Sequence, residues 1–289
     1  MNQRLLQLSV ICARSASLRR VGHLAFRLPG VGGALRRVSE SIISSEQRVW
    51  VQIASGTAKG LWLKVLPKWE PGYLRGCAEE GMNEALSRYL RPGGCFYDVG
   101  AHIGFYSLLA ARLVGQTGAV IAFEPDTDNA EILRQNAARN GLQICVVSAA
   151  VSNQDGTIRF QRSTGDGPSR MSGMVIRDNL PAAKESEIVC CPAVSLDGFS
   201  SSHRPPTLVK IDVEGAEIQV LEGARSLLET KKPVLIIEVH HQKDLPAVHS
   251  ILSGLGYALE PLRLEAAKIG ARNYLAFVAG LMKSASECG

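Results

Sequence analysis

The segment Asp-Val-Gly-Ala-His-Ile-Gly at residues 98–104 follows the apolar residues GGCFY and precedes FYSLLAARLV. Gly100 allows the backbone to turn sharply and approach a ligand, and Gly104 opens a helix whose first amides point toward that ligand. The glycines are spaced GxxxG, whereas a dinucleotide fingerprint reads GxGxxG, so a nicotinamide-dependent oxidoreductase is disfavoured. A pyrophosphate bound at this loop would need only hydrogen-bond donors, whereas Asp98 adds a carboxylate, which is an acceptor. This carboxylate either accepts a hydrogen bond from a ligand ammonium group or anchors the loop itself.

A second acidic residue, Glu124, ends the next apolar segment, AFEPD, 26 residues after Asp98. A carboxylate at this position can accept hydrogen bonds from both hydroxyl groups of a ribose through one bidentate contact. Together with Asp98, it predicts a ligand that combines a ribose with a cationic amino-acid tail.

Charged residues also alternate near the ends of two later apolar segments, KIDVE and IIEVHH. Alternate residues of a strand project to one side, so each set faces one side of its strand. Charges this close to the interior of a parallel sheet are costly unless they are paired or used in chemistry. The predicted catalytic residues are Lys210, Asp212, Glu238 and His240.

Several alternatives stay open for this charged set. Lys210 either pairs with an acid to hold the sheet together or serves Asp212 and Glu238 as a shared counter-ion. His240, with its neighbour His241, is the most natural general base. Asp212, Glu238 and His240 have the ligand types of Mg, Mn or Fe, but their spacing is unspecific, so we expect no metal.

The apolar segments alternate with helical stretches, which predicts a parallel sheet with crossover helices on both faces. GYALE and NYLAFVA predict a closing antiparallel pair, and VWVQI with GLWLKV predicts a hairpin around SGTAKG. We interpret Leu196-Asp197-Gly198 as a turn. The predicted strands of the parallel sheet are 95–99, 119–123, 144–147, 207–212 and 233–239, and the predicted helices are 104–114, 128–139, 216–229 and 244–254.

The chain is predicted to have three parts. Residues 1–45 form a basic helical or mobile extension, residues 46–70 the hairpin, and residues 71–289 the main domain. Residues 152–206 interrupt the strand–helix rhythm of that domain. Because functional loops lie at the carboxyl edge of such a sheet, we expect this insertion to form a cap over the substrate.

Several motifs in order resemble the FkbM family of S-adenosylmethionine-dependent methyltransferases, over roughly residues 72–240: YDVGAHIGFYSLLAA, AFEPD, SAAVS, VSLDGF and LVKIDVEGAEIQVLEGA. The block KIDVEGAE is the most specific of them. The resemblance implies a Rossmann-like class I methyltransferase fold, an α/β architecture with a seven-stranded, mostly parallel sheet. It also implies S-adenosylmethionine as cofactor and methyl transfer to a hydroxyl of a sugar, glycoconjugate or other small natural product. The alternative is a non-catalytic module that keeps the fold and binds the cofactor or a partner.

The resemblance also places the cofactor site. His102 stands where such sequences commonly carry Asn, which suggests a modest change in how the loop bonds its ligand. The residues that the resemblance assigns to the cofactor are Asp98, Gly100, Ala101, His102, Gly104, Glu124 and Pro125.

Charge and cysteine content limit the other possibilities. The net charge is +5, but residues 1–39 hold seven Arg and no acid, so the remainder carries 25 basic against 27 acidic side chains, or −2. A nucleic-acid-binding core is therefore disfavoured. The basic N-terminus either packs on the domain or stays mobile, makes a weak membrane-surface contact, or serves in targeting. Seven scattered Cys without a CxxC pair predict reduced thiols and a cytoplasmic protein. We expect a small-molecule or glycan acceptor.

Overall fold

The computed structural model describes residues 48–66, 73, 80–163, 173–175, 186–262 and 272–278. The chain divides into two compact units, Met1–Ala78 and Glu79–Gly289. The predicted N-terminal extension at residues 1–45 lies outside the described residues. No helix in the described ranges is both long and apolar enough to cross a membrane.

The first unit contains an antiparallel hairpin of β1 (Val49–Gln52) and β2 (Trp62–Val65). Its register pairs Val49 with Val65 and Gln52 with Trp62. Beyond the strands, backbone bonds from Ile53 to Leu61 and from Gly60 back to Ile53 close the turn. The hairpin predicted around SGTAKG is therefore present.

The second unit is built on a seven-stranded sheet in the order β12-β13-β11-β10-β3-β4-β5. The five strands from β11 to β5 run parallel, whereas β13 is antiparallel to both β11 and β12. The mostly parallel sheet and its closing antiparallel pair are confirmed. The strands are β3 (Cys95–Val99), β4 (Ala119–Phe123), β5 (Cys145–Val147), β10 (Leu208–Ile211), β11 (Val234–Val239), β12 (Tyr257–Pro261) and β13 (Arg272–Val278).

Helices cover both faces of the sheet, whose central strands are apolar except for the buried Asp98 and Lys210. Every residue of β3 and of β10 is buried, which requires packed layers above and below. The helices of this unit are α1 (Glu80–Tyr89), α2 (Phe105–Val114), α3 (Thr127–Asn140), α4 (Leu196–Ser202), α5 (Glu217–Glu222), α6 (Arg225–Lys231) and α7 (Leu245–Gly254), with a 3₁₀ turn at Gln242–Asp244.

The predicted insertion contributes a second, four-stranded sheet in the order β6-β9-β7-β8. Its longest pairing joins β7 and β9 antiparallel from Gly156↔Ala193 to Ser163↔Ser186. Arg162 on β7 forms an ion pair with Asp126, 2.8 Å from Nε to Oδ2, and also contacts Asp128. The second sheet is thus tied to the start of α3, beside the carboxyl end of β4. The strands are β6 (Ala150–Val151), β7 (Gly156–Ser163), β8 (Gly173–Val175) and β9 (Ser186–Val194).

Two local predictions are wrong. The single helix expected over 216–229 is divided into α5 and α6, and a Cβ on the intervening Gly223 would lie 2.1 Å from the carbonyl oxygen of Ser152. Leu196-Asp197-Gly198 begins α4 rather than forming an isolated turn, because Ser195 caps this helix through the amide of Gly198. The Asp197 carboxylate accepts hydrogen bonds from the amides of Ser226 and Leu227 in the first turn of α6.

Candidate active site

The loop between β3 and α2 is shaped by two glycines with positive φ. Gly100 has φ 80°, and a Cβ there would lie 1.8 Å from the carbonyl oxygen of Asp212. Gly104 has φ 86°, and a Cβ there would lie 2.5 Å from Cγ of Leu133. The absence of side chains therefore lets this loop pack against the end of β10 and against α3. Sequence reasoning attributed both glycines to the ligand, and the structure adds these packing requirements.

Asp98 is completely buried at the end of β3. Its Oδ2 accepts a hydrogen bond of 2.5 Å from the hydroxyl of Ser107 on α2, and its Oδ1 lies 3.5 Å from Nζ of Lys210. These contacts join the strand, the following helix and β10. Of the two roles left open for Asp98, the structure displays the anchoring one, and contact with a ligand ammonium group stays a prediction.

Glu124 follows β4 directly, and its carboxylate is fixed by two backbone amides. Oε2 accepts from the amide of His102 at 2.7 Å, and Oε1 accepts from the amide of Asp126 at 2.9 Å. Burial raises the pKa of Glu124 to about 7, although these hydrogen bonds partly oppose the rise. The side chain of Asn129 also hydrogen-bonds to this carboxylate. A carboxylate has about four lone pairs, so acceptor capacity for a hydroxyl group remains.

The remaining predicted cofactor residues lie beside this carboxylate. Ala101 is buried, and its amide donates to the carbonyl of Phe123. His102 has φ 50°, a left-handed conformation that both His and Asn adopt more readily than most residues. Its amide, not its ring, makes the bond to Glu124, so replacement of the family's Asn preserves that bond. Pro125 lies in the turn between Glu124 and the helix-capping Asp126.

Lys210 links the glycine loop to the end of β10. Its Nζ lies 3.1 Å from Oδ2 of Asp212 and 3.5 Å from Oδ1 of Asp98, and it donates to the carbonyl of Gly100 at 3.3 Å. It also lies 5.3 Å from the ring centroid of Tyr106. The ammonium group is almost fully buried, and removing one partner of a buried ion pair costs about 3–5 kcal/mol. This geometry supports the structural reading, and a catalytic role for Lys210 stays a prediction.

His240 follows β11 and is the centre of a cluster of acidic side chains. Its Nε2 lies 3.3 Å from Glu214, 3.5 Å from Asp212 and 3.8 Å from Glu238. Its Nδ1 lies 2.8 Å from Oε1 of Glu217, whose side chain is completely buried. Three of the four predicted catalytic residues therefore meet at the carboxyl ends of β10 and β11, and Lys210 joins them through Asp212.

The charges in this cluster change the ionisation of its members. Burial lowers the pKa of His240, but the hydrogen bond to Glu217 and the charges of Asp212, Glu214 and Glu238 more than compensate and raise it to about 9. Burial also raises the pKa of Asp212, but Lys210 and His240 outweigh it, so this pKa lies below its usual value. His240 is consequently an imidazolium at neutral pH.

Sequence reasoning did not assign Glu217 or Glu214 to the site. The backbone turns at Glu214, with φ 51°, and at Gly215, with φ 101°, and the Glu214 carboxylate lies 3.3 Å from His240. His241, the other candidate base, is exposed, and its ring lies beside Gly215. The repeated acids in DVEGAE were the available signal for Glu217, but only the backbone turn shows which acid reaches the imidazole.

The ligand atoms that could hold a metal ion are also close together. Asp212, Glu238 and His240 each offer one atom, and these atoms lie within 4.8 Å of one another. The cation alternative considered from the sequence thus has a suitable donor set. In the described residues, however, Lys210 and the protonated His240 already bring positive charge to these acids, and the expectation of no metal stays a prediction.

Comparison with known proteins identifies the family. A family model described as "Methyltransferase FkbM domain" matches residues 98–259, which is more than half of the chain. Hexuronic acid methyltransferase AglP of Haloferax volcanii is 27% identical over 198 residues, covering 68% of this chain and 76% of that protein. A ribosomal protein L11 methyltransferase of Pelotomaculum thermopropionicum is 32% identical over 139 residues, covering 41% of this chain and 44% of that protein.

Solved methyltransferases are similar at a lower level. The FkbM methyltransferase of Methylobacillus flagellatus is 19% identical, with a TM-score of 0.44, covering 72% of this chain and 52% of that chain. An S-adenosylmethionine-dependent O-methyltransferase of Thermotoga maritima is 14% identical, with a TM-score of 0.43, covering 75% of this chain and 67% of that chain.

The residues at the strand ends fit S-adenosylmethionine. Glu124 keeps acceptor capacity for a ribose hydroxyl, and among the described residues no side chain caps the first turn of α2, where a carboxylate is electrostatically favoured. The fit, the seven-stranded fold and the matched family model agree. This chain belongs to the FkbM family of S-adenosylmethionine-dependent methyltransferases.

Proposed function

We propose that this protein transfers the methyl group to a hydroxyl of a sugar or sugar-containing acceptor, with His240 as the general base. The observation that carries the proposal is the position of His240, whose Nε2 faces Asp212, Glu214 and Glu238 next to the glycine loop. When bound, S-adenosylmethionine supplies an activated methyl group. The chain's own residues must then orient the acceptor and remove its proton.

A hydroxyl acceptor benefits from a base because its own pKa is high. His240, with a pKa of about 9, is a stronger base than an ordinary imidazole, at the cost of being mostly protonated at neutral pH. The neutral form accepts the hydroxyl proton at Nε2, and the nearby carboxylates stabilise the imidazolium that results. Catalysis by this route becomes faster as the pH rises toward 9.

The charge of the cluster favours a hydroxyl over a carboxylate as the methyl acceptor. Asp212, Glu214 and Glu238 all lie within 3.8 Å of Nε2. An acceptor carboxylate at this point would face these like charges, which costs binding energy, whereas a neutral hydroxyl would donate to them. This argument concerns the reacting group only and allows a carboxylate elsewhere on the acceptor.

The relative AglP supports sugars as the acceptor class, since its name describes a hexuronic acid methyltransferase. The test incubates the purified chain with S-adenosylmethionine carrying a deuterated methyl group and a panel of hexuronic acids, neutral sugars, nucleotide sugars and lipid-linked glycans. Mass spectrometry then detects the labelled methyl group. Mild alkali distinguishes the products, because it removes a methyl ester and leaves a methyl ether intact.

The proposal predicts an alkali-stable labelled sugar that is formed by the wild type and by His241→Gln but at least about 100-fold more slowly by His240→Gln. An alkali-labile product would contradict the hydroxyl assignment. Cofactor binding without transfer to any member of the panel would favour the non-catalytic alternative.

A further inference from the structure

Glu217 is the one acid of the His240 cluster that contacts Nδ1 rather than Nε2 in the described part of the chain. It is the first residue of α5, and its side chain is 0% exposed. Oε1 receives the amide of Gly215 at 2.9 Å and lies 2.8 Å from Nδ1 of His240. The carboxylate is thereby held from two sides, and the imidazole is attached to a fixed point in the fold.

This contact determines which ring nitrogen is available for chemistry. An ionised carboxylate only accepts hydrogen bonds, so the short contact requires a hydrogen atom on Nδ1. In the neutral imidazole the lone pair then lies on Nε2, the nitrogen that faces the acidic side of the cluster. Without this contact, the carboxylates of Asp212, Glu214 and Glu238 near Nε2 would favour a hydrogen atom on that nitrogen instead.

We infer that Glu217 is a positioning residue that holds His240 through Nδ1, so that Nε2 is the nitrogen that accepts the proton of the acceptor. The inference rests on the proposed function of His240 and extends it to a residue that itself does not touch the acceptor. It explains why a carboxylate is buried completely at the start of a helix, where burial alone would be costly.

Other charged groups also affect the ionisation of His240, and their effects must be distinguished from the effect of Glu217. Asp212 and Glu214 come from the end of β10 and the loop after it, and Glu238 comes from β11. Lys210 and His102 act on Asp212 and so affect the ring indirectly. Glu214 is the most useful comparison, because it has the same charge but contacts Nε2 and is 44% exposed.

The substitution Glu217→Gln separates charge from packing. The Gln carbonyl oxygen can still accept from the amide of Gly215 and from Nδ1, and the amide nitrogen replaces Oε2, which has no hydrogen-bond partner among the described residues. The shape and the turn are therefore retained, while the negative charge next to the ring is lost. Glu222→Gln is the matched control on the same helix, because Glu222 is exposed and bonds Asn153.

The measurement is nitrogen NMR of protein labelled at its six histidines, with His240 assigned through His240→Gln. In the wild type we expect His240 to titrate near pH 9 and its neutral form to carry the proton on Nδ1. In Glu217→Gln we expect the titration midpoint to fall by about one pH unit or more, since an opposite charge at this distance typically shifts a pKa by that amount. Glu222→Gln leaves the midpoint unchanged.

A neutral His240 that is protonated on Nε2 in the wild type overturns the inference. This result requires no variant, so the inference is testable even if Glu217→Gln does not fold. Once an acceptor is identified, the pH at which kcat/KM rises should change together with the NMR midpoint. A purely structural role would instead lower kcat/KM equally at all pH values.

The test also separates this inference from the proposed function. If the wild type methylates a sugar hydroxyl but its neutral His240 carries the proton on Nε2, the positioning role is wrong and the function stands. If Glu217 controls the tautomer and midpoint of His240 but no hydroxyl in the panel is methylated, the proposed function fails, and with it the catalytic purpose assigned to Glu217.

Discussion

At the scale of single residues, the cofactor loop depends on contacts that its sequence pattern does not display. Gly100 meets the backbone of Asp212, Asp98 is bound by Ser107 and Lys210, and Glu124 is held by two amides. The polar groups of the loop are thus fixed before any ligand binds. Such preorganisation lowers the entropic cost of binding.

Gly100→Ala should destabilise the protein more than an ordinary substitution at positive φ. The new Cβ would lie 1.8 Å from the carbonyl of Asp212, and that backbone must move. We expect a loss of about 3 kcal/mol or more in the free energy of unfolding, measured by urea denaturation. Gly141→Ala is the control, because Gly141 has φ 65° but open space, so it should lose only about 1–2 kcal/mol. Equal losses in the two variants would refute the packing explanation.

Glu124 should make cofactor affinity depend on pH near neutrality. Burial raises its pKa to about 7, so the carboxylate gains a proton as the pH falls through that value and becomes a poorer acceptor for ribose hydroxyls. Calorimetry between pH 8 and pH 6 should therefore show S-adenosylmethionine binding progressively more weakly to the wild type.

In Glu124→Gln the affinity should be lower at pH 8 and nearly constant over the same range, because no group titrates at this position. The same pH dependence in both proteins would show that another group is responsible.

At the scale of elements, the helices and strands were predictable where burial dominates. Mostly apolar segments predicted β3 and β4 with their observed bounds, since a strand covered on both faces buries nearly all of its side chains; in β3 the exception is Asp98, which is paired. The break between α5 and α6 was not predictable from periodicity, because it depends on how closely Gly223 approaches Ser152 from a distant segment.

Asp197 should stabilise α6 from outside that helix. Its carboxylate accepts from the amides of Ser226 and Leu227, which otherwise have no intrahelical partner at the helix start. Asp197→Ala should cost about 1–2 kcal/mol in the free energy of unfolding, measured by chemical denaturation. Asp197→Asn keeps one acceptor oxygen and should lose less. If both variants were as stable as the wild type, Asp197 would not be a helix cap.

At the scale of the whole molecule, the sheet brings together residues that are far apart in sequence. The order β11-β10-β3-β4 places four neighbouring strand ends along one edge, and these carry His240, Asp212, the glycine loop and Glu124. The sequence predicted these four sets because ligands of parallel sheets bind at the carboxyl ends of strands. It could not predict Glu217, because the left-handed turn at Glu214 and Gly215 determines which acid meets the imidazole.

The second sheet shows the same limit. The segments TIRFQ and EIVCCPAV indicate part of its strands. Its attachment to α3 through Arg162 and Asp126 is seen only in the structure. The structure gives Arg162 two aspartates as partners, while the cap function of the insertion stays a prediction.

The pH dependence of methyl transfer tests the central claim most directly. With the best hydroxyl acceptor and EDTA-treated protein, kcat/KM should rise about tenfold per pH unit from pH 6.5 and level off near pH 9, because only neutral His240 removes the proton. His240→Gln should lose this rise together with most of the activity. A flat profile in the wild type, or an unchanged rise in His240→Gln, would contradict the account.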